Sequence, residues 1–237
     1  MPTRDRSRLR AEILIVLAFT FGASGLRSLL RLVDALLAPT PLNEQSVTLN
    51  DAQSTVSWLD LALQATSALV LLAWGALALH LLDQRLPLPR PGDWLRGAGL
   101  AALIGIPGLA LYVTALHVGW TREVVVATES TRLPTLLLWS AANAFAEETV
   151  VVLWLMTRLR ELGCAPATAI AASAVLRGSY HLYQGVSAGF GNVAMGLIFA
   201  LSFHRTGKVW PLILAHFFID AVAYLGYRLL DLSWLGL

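Results

Sequence analysis

The sequence predicts an all-α fold, a polytopic bundle of about seven transmembrane helices, and three observations carry that expectation. The 237-residue chain is 57% hydrophobic and only 14% charged, with a mean hydropathy of +0.65. Soluble domains average roughly 45–50% apolar and 25% charged residues, so this composition belongs to the membrane class. Apolar runs of about 20 residues, the length that crosses a hydrocarbon core of about 30 Å, recur along the whole chain. The loop charges then agree with one topology. With the N-terminus cytoplasmic, seven spans place Arg4, Arg6, Arg8, Arg10, Arg85, Arg90, Arg96, Arg158, Arg160, Arg205 and Lys208 inside. Only Arg122, Arg132 and Arg228 fall outside, a positive-inside bias.

The runs justify each span in turn. The N-terminus, MPTRDRSRLR, has the charge of a signal-peptide n-region. The apolar stretch after it is too long and lacks a small-residue cleavage site, so a retained first helix over 13–37 is expected. Arg27, Arg31 and Asp34 stand at i, i+4 and i+7 in it, a polar stripe to be buried against other helices or snorkelled to the interface. Pro39, Pro41, Asn43 and Asn50 mark 38–57 as a loop. A second span covers 58–82, and Pro87, Pro89 and Pro91 stiffen the connector after it. Pro107 should bend or break the third span, 95–118. A loop with Arg122, Glu123 and Glu129 leads to the fourth span, 133–157. Pro166 suits the first turn of the fifth, 166–183. The sixth covers 188–203, and the seventh opens at Val209 and runs to Leu229.

Composition also excludes function classes. A formal charge of +2 with scattered basic residues gives no nucleic-acid surface. The single Cys164 rules out an intramolecular disulfide and any multi-cysteine metal site. All but one of the 17 basic residues are arginine, the bias of a GC-rich bacterial genome, so a bacterial plasma (inner) membrane is the expected location.

The chemistry concentrates in the fourth span, where Glu147 and Glu148 interrupt AANAFAEETVVV. An acidic residue at mid-bilayer costs about 2.5–3.5 kcal/mol, so the pair requires proton uptake, polar partners or a water-filled cavity. At 1.5 Å per residue, Glu147 lies about 15 Å from the cytoplasmic end, His216 and Asp220 about 10 and 17 Å, and His181 about 22 Å. Arg177–His181 and His216–Asp220 are each i, i+4 pairs on one helix face. Within boundary error all of these share one intramembrane layer, which suits general-base activation of water. A Glu takes the proton, one His shares the water, and another stabilises an oxyanion. His181, His216 and Glu147 would also make a zinc set. Asn192 is a supporting polar residue of the sixth span. HExxH does not occur, which removes the common zinc-protease motif.

At these residues the chain resembles the CAAX protease and bacteriocin-processing (CPBP, or Abi) family of intramembrane endopeptidases. That family's Glu-Glu-x-x-x-Arg, Phe-x-x-x-His and His-x-x-x-Asn/Asp motifs correspond to Glu147–Val152, Arg177–His181 and His216–Asp220. The resemblance divides the chain into a basic N-terminus (1–12), three preceding spans (13–132) and a catalytic helix bundle (133–230), with no separate soluble domain. It implies that Glu147 activates water and His181 helps to hold it. His216 and Asp220 would stabilise the oxyanion, with Glu148 behind them and a membrane-associated protein or peptide as substrate. Metal-dependent and metal-free glutamate chemistry both stay open. Two positions depart: Val152 stands where the family has Arg, and Arg177 where it has Phe. Arg177 is placed to supply the missing charge from a neighbouring helix. The alternatives are an inactive relative that keeps the fold as a membrane binding or scaffold protein, or a transporter with the Glu pair as proton relay. The lack of an internal repeat disfavours the transporter.

Overall fold

In lipid the backbone must satisfy its own polar groups, and long apolar runs do so by closing into helices. The structure, a computed structural model, describes residues 6–126 and 133–229. Arg4, Glu129, Arg132 and residue 230 of the expected elements lie outside them. The helices are α1 (Arg6–Phe19), α2 (Phe21–Leu37), α3 (Ser57–Leu82), α4 (Pro91–His117) and α5 (Leu133–Glu147). A π-helical segment, Glu148–Trp154, joins α5 to α6 (Leu155–Glu161), and α7 (Pro166–His181), α8 (Val186–Thr206) and α9 (Trp210–Leu229) follow. The all-α helical fold is therefore as expected.

The count of seven spans is not confirmed. Among the described residues, four helical stretches are long and apolar enough to cross a membrane, or five if the bent pair α1–α2 counts as one. The seven-span expectation fails to reach that measure at α7 and α9. Helix α7 has 16 residues and is about 24 Å long, and the apolar stretch of α9 covers Trp210–Gly226. Residues 13–37 form two helices meeting at 49° around Thr20, whose hydroxyl donates to the Val16 carbonyl at 2.7 Å. The Arg27–Arg31–Asp34 stripe faces outward, because α2 buries Phe21, Gly25, Ser28, Leu32 and Ala35 instead. A Cβ on Gly25 would lie 2.3 Å from Ser179 Oγ, so glycine permits the close approach of α2 to α7. Pro107 does not break α4, which is continuous through it; one lost N–H is absorbed by the bonds on either side.

Two segments expected as loops pair with each other. Ser46–Leu49 (β1) and Glu123–Val126 (β2) form a short parallel ladder, Ser46 opposite Glu123. Arg122 fastens this ladder to the bundle, donating to the Tyr183 carbonyl at 3.2 Å and to Ser46 at 2.7 Å.

The polypeptide from α5 to α6 is the central strut. Ala142, Ala144, Ala146, Val150, Val151, Val152 and Trp154 are fully buried. Helices α3 and α4 instead keep most of their surface outward. At the far end of the strut Arg158 is buried and donates to Glu12 of α1 at 2.6 Å, to Glu161 at 2.8 Å and to the Leu81 carbonyl. This pin fastens α1 and α3 to the strut.

Candidate active site

Successive residues of an α-helix point about 100° apart, so adjacent carboxylates do not ordinarily share a partner. Glu147 and Glu148 do, because the π-helical segment starts between them and an arginine reaches both. Arg177 Nη1 donates to Glu147 Oε2 at 3.2 Å and Nη2 to Glu148 Oε1 at 2.6 Å. The i→i+5 pairing of a π-turn shifts the carbonyl ladder, and such turns are frequent at functional sites. Here the Ser173 hydroxyl of α7 donates to the Val151 carbonyl at 2.8 Å, and Thr149 donates to Phe145 at 2.6 Å.

Helix α7 brings three side chains to the pair from one face, at i, i+3 and i+4. Arg177 is fully buried, and the Tyr180 hydroxyl donates to Glu147 Oε2 at 2.7 Å. His181 Nε2 stands 3.9 Å from the same oxygen, and neither ring nitrogen of His181 has a hydrogen-bond partner. Helix α9 adds His216, whose Nδ1 lies 2.7 Å from Glu148 Oε1 and 4.0 Å from Glu147 Oε2. A nitrogen that close to a carboxylate is the donor, so Nδ1 carries the proton. Nε2 of the same ring is 3.6 Å from Asp220 Oδ2, one turn further on.

Glu147, Glu148, Arg177 and His216, all buried, and the half-buried His181 and Asp220 are thus brought into one group from three helices. Asn192 is not joined to it by a hydrogen bond; its amide donates to the Ala188 carbonyl of its own helix at 3.0 Å. Val152 is fully buried in an apolar cluster with Met195, Phe199 and Leu212. The Arg177 guanidinium lies over the Phe199 ring, 5.3 Å from its centroid. Tyr180 and Ser173 were missed on sequence. The available signal was the RGSYH stretch, where Tyr180 shares a face with Arg177.

The metal-type donors also differ from the expected His181, His216 and Glu147. Donor atoms of Glu147, Glu148 and His216 lie within 4.8 Å of one another, and His181 is outside that group. The reason is that His216 turns its Nδ1 to Glu148 rather than towards His181. By donor chemistry the trio could hold a divalent ion. One oxygen of each carboxylate is nonetheless engaged: Glu148 Oε1 accepts from Arg177 and His216, and Glu147 Oε2 from Arg177 and Tyr180, while Glu148 Oε2 is buried without a hydrogen-bond partner. A metal bound there would have to displace the proton of His216 Nδ1 and sit beside the Arg177 guanidinium.

The sequence model of one family, described as Type II CAAX prenyl endopeptidase Rce1-like, matches residues 129–222. That stretch contains every residue of the buried group. No curated protein and no solved structure matches the chain. The three motifs, their convergence in space and the family match agree, and over residues 129–222 the chain is similar to the Rce1-like CAAX prenyl endopeptidases.

Proposed function

We propose that the protein is an intramembrane endopeptidase that hydrolyses a peptide bond of a membrane-associated protein or peptide, with Glu147 as the base that activates water. The observation that carries this reading is the facing of Glu147 and His181. They are 3.9 Å apart, and His181 has no other polar partner. One water with two hydrogen bonds of about 2.8 Å bridges such a gap. Glu147 accepts a proton as that water attacks the scissile carbonyl, and returns it to the leaving amine. The oxyanion that forms needs a positioned donor, and His216 Nε2 is suited to it. Glu148 fixes the ring through Nδ1, and Asp220 faces Nε2 as its counter-charge. The apolar helices and the family match make this a multi-pass membrane protein, and the loop charges support a bacterial inner membrane with the N-terminus inside.

The test is cleavage of membrane-associated peptides, prenylated and unprenylated, by protein reconstituted in bilayers. Glu147→Gln and His181→Ala should each lower turnover by about 10²- to 10⁴-fold, the range of general acid–base catalysis. If the wild type and both variants behave alike, the enzyme reading fails. The presence of Val152 at the motif position would then favour the inactive relative.

A further inference from the structure

Two carboxylates and an imidazole buried together require a positive charge, and in this chain the helix that carries the glutamates does not provide it. Val152, one turn beyond Glu148, is apolar and fully buried. The charge arrives from α7. We propose that Arg177 is the resident cation of this site, a positioning residue that holds both carboxylates and keeps a divalent metal out of the Glu147–Glu148–His216 group.

The geometry favours a guanidinium over a metal ion and over an ammonium. The planar fork is split, one nitrogen to each glutamate, which a single point charge does not reproduce. Its aliphatic stem passes α8 at Gly196, where a Cβ would stand 3.3 Å from Arg177 Cδ and 2.8 Å from Ala174 Cα. Behind the head lies the Phe199 ring. A divalent ion bound by Glu148 and His216 would sit about 2.0–2.2 Å from each donor. That requires His216 Nδ1 to give up its proton and places two further charges beside the guanidinium. Removing the guanidinium reverses the balance. It leaves two carboxylates and one imidazole within 4.8 Å of one another, buried and without the guanidinium that bridged the carboxylates. The trio is a metal site that Arg177 keeps closed.

The experiment uses the full chain in lipid nanodiscs, as wild type, R177K, R177M and R177M/V152R. Co²⁺ is titrated in the visible region, thermal unfolding is followed with and without Zn²⁺, and peptide cleavage is measured with and without chelator. Wild type and R177K should show no ligand-field bands, and chelator should leave wild-type cleavage within about twofold. R177M should bind one equivalent of Co²⁺, lose the bands on adding H216A, and gain thermal stability with Zn²⁺. Its cleavage should fall about 100-fold, the scale of a lost positioning contact in acid–base catalysis. R177M/V152R should recover at least about tenfold of that loss and shed the Co²⁺ bands. His216-dependent Co²⁺ binding by the wild type overturns the proposal. So does an R177M protein that matches wild type in both metal binding and cleavage. If R177M does not fold, R177K and wild type decide: Co²⁺ bands in either refute metal exclusion. The cleavage arm rests on Glu147 being the base and the Co²⁺ arm does not, so the two failures are distinguishable.

Discussion

Tyr180→Phe isolates one hydrogen bond in the buried group with little else disturbed. The hydroxyl donates to Glu147 Oε2 at 2.7 Å, and Tyr180 is 7% exposed, so water does not readily take its place. The ring stays packed in the variant, since its contacts with Phe21 and His181, both at 4.8 Å between centroids, need no hydroxyl. A hydrogen bond to a charged acceptor is worth about 1.5–3 kcal/mol, and about 1.4 kcal/mol is tenfold in rate. The whole bond would therefore correspond to about 10- to 150-fold. Arg177 Nη1 still holds the same oxygen at 3.2 Å, so the base keeps one anchor and the lower end applies. We expect kcat to fall about tenfold with KM within about twofold, because the bond orients the base rather than binding substrate. Steady-state cleavage of one fluorogenic peptide in nanodiscs, with circular dichroism to establish folding, reads the effect. A kcat within about twofold of wild type, while Glu147→Gln is inactive, would refute the claim that Tyr180 positions the base.

Three further outcomes concern the scaffold. Glu12→Ala removes the closer carboxylate of buried Arg158 but leaves Glu161 at 2.8 Å and the Leu81 carbonyl, so the loss should be about 2 kcal/mol, below the 3–5 of a fully orphaned buried charge. Chemical denaturation in detergent checks it, and a change under about 0.5 kcal/mol would show that the pin is dispensable. Gly178→Ala should separate α7 from α8, since a Cβ there would stand 2.4 Å from Val193 Cγ2 and 2.7 Å from the Gly189 carbonyl oxygen. Overpacking of that kind costs about 1–3 kcal/mol; unaltered thermal stability and cleavage would contradict the tight α7–α8 contact. Ser173→Ala leaves the buried Val151 carbonyl without its side-chain donor, at about 1–3 kcal/mol, and hydrogen exchange should rise across 148–154. Unchanged exchange there would mean the π-turn holds without Ser173.

Much of the site was legible because its chemistry is costly in a membrane. Glu147, Glu148, Arg177, His181, His216 and Asp220 stand out in apolar runs, and helical rise alone placed them in one layer. Tyr180 was hidden because a tyrosine in a membrane helix has an apolar body and draws no attention until its hydroxyl is seen on a carboxylate. The pairing of His216 with Glu148 was hidden for another reason: depth along the helix axis was estimated, but direction around it was not. The spans were legible where lipid faces them, as in α3 and α4. They were less legible at α7, which has only 16 residues and buries one face, Ala169, Ser173, Ala174, Arg177, Gly178 and Tyr180, against its neighbours. Pairing of β1 with β2, 77 residues apart by register, joins SVTL to EVVV, four-residue runs whose β-branched residues were passed over because each lies inside a polar connector.

The π-turn explains why an apolar residue at 152 is compatible with a charged site. In an unbroken α-helix the residue stacked beneath Glu148 is i+4, which is Val152. Across the π-helical segment the spacing widens to i+5, and Val152 comes beneath Glu147. Its side chain there joins the cluster that contains Phe199, the ring over which the Arg177 guanidinium lies. The approach from the glutamates' own strut and the approach from α7 therefore converge on one aromatic ring. A guanidinium needs only to reach that place, and α7 delivers it past Gly196 without crowding the strut. The valine thus marks a change in which helix carries the charge, with the charge itself retained. That change has a mechanical consequence, because α7 also carries His181 and Tyr180. Both glutamates are then held by the same helix that presents His181, and any shift of α7 moves Arg177, Tyr180 and His181 together against the glutamates.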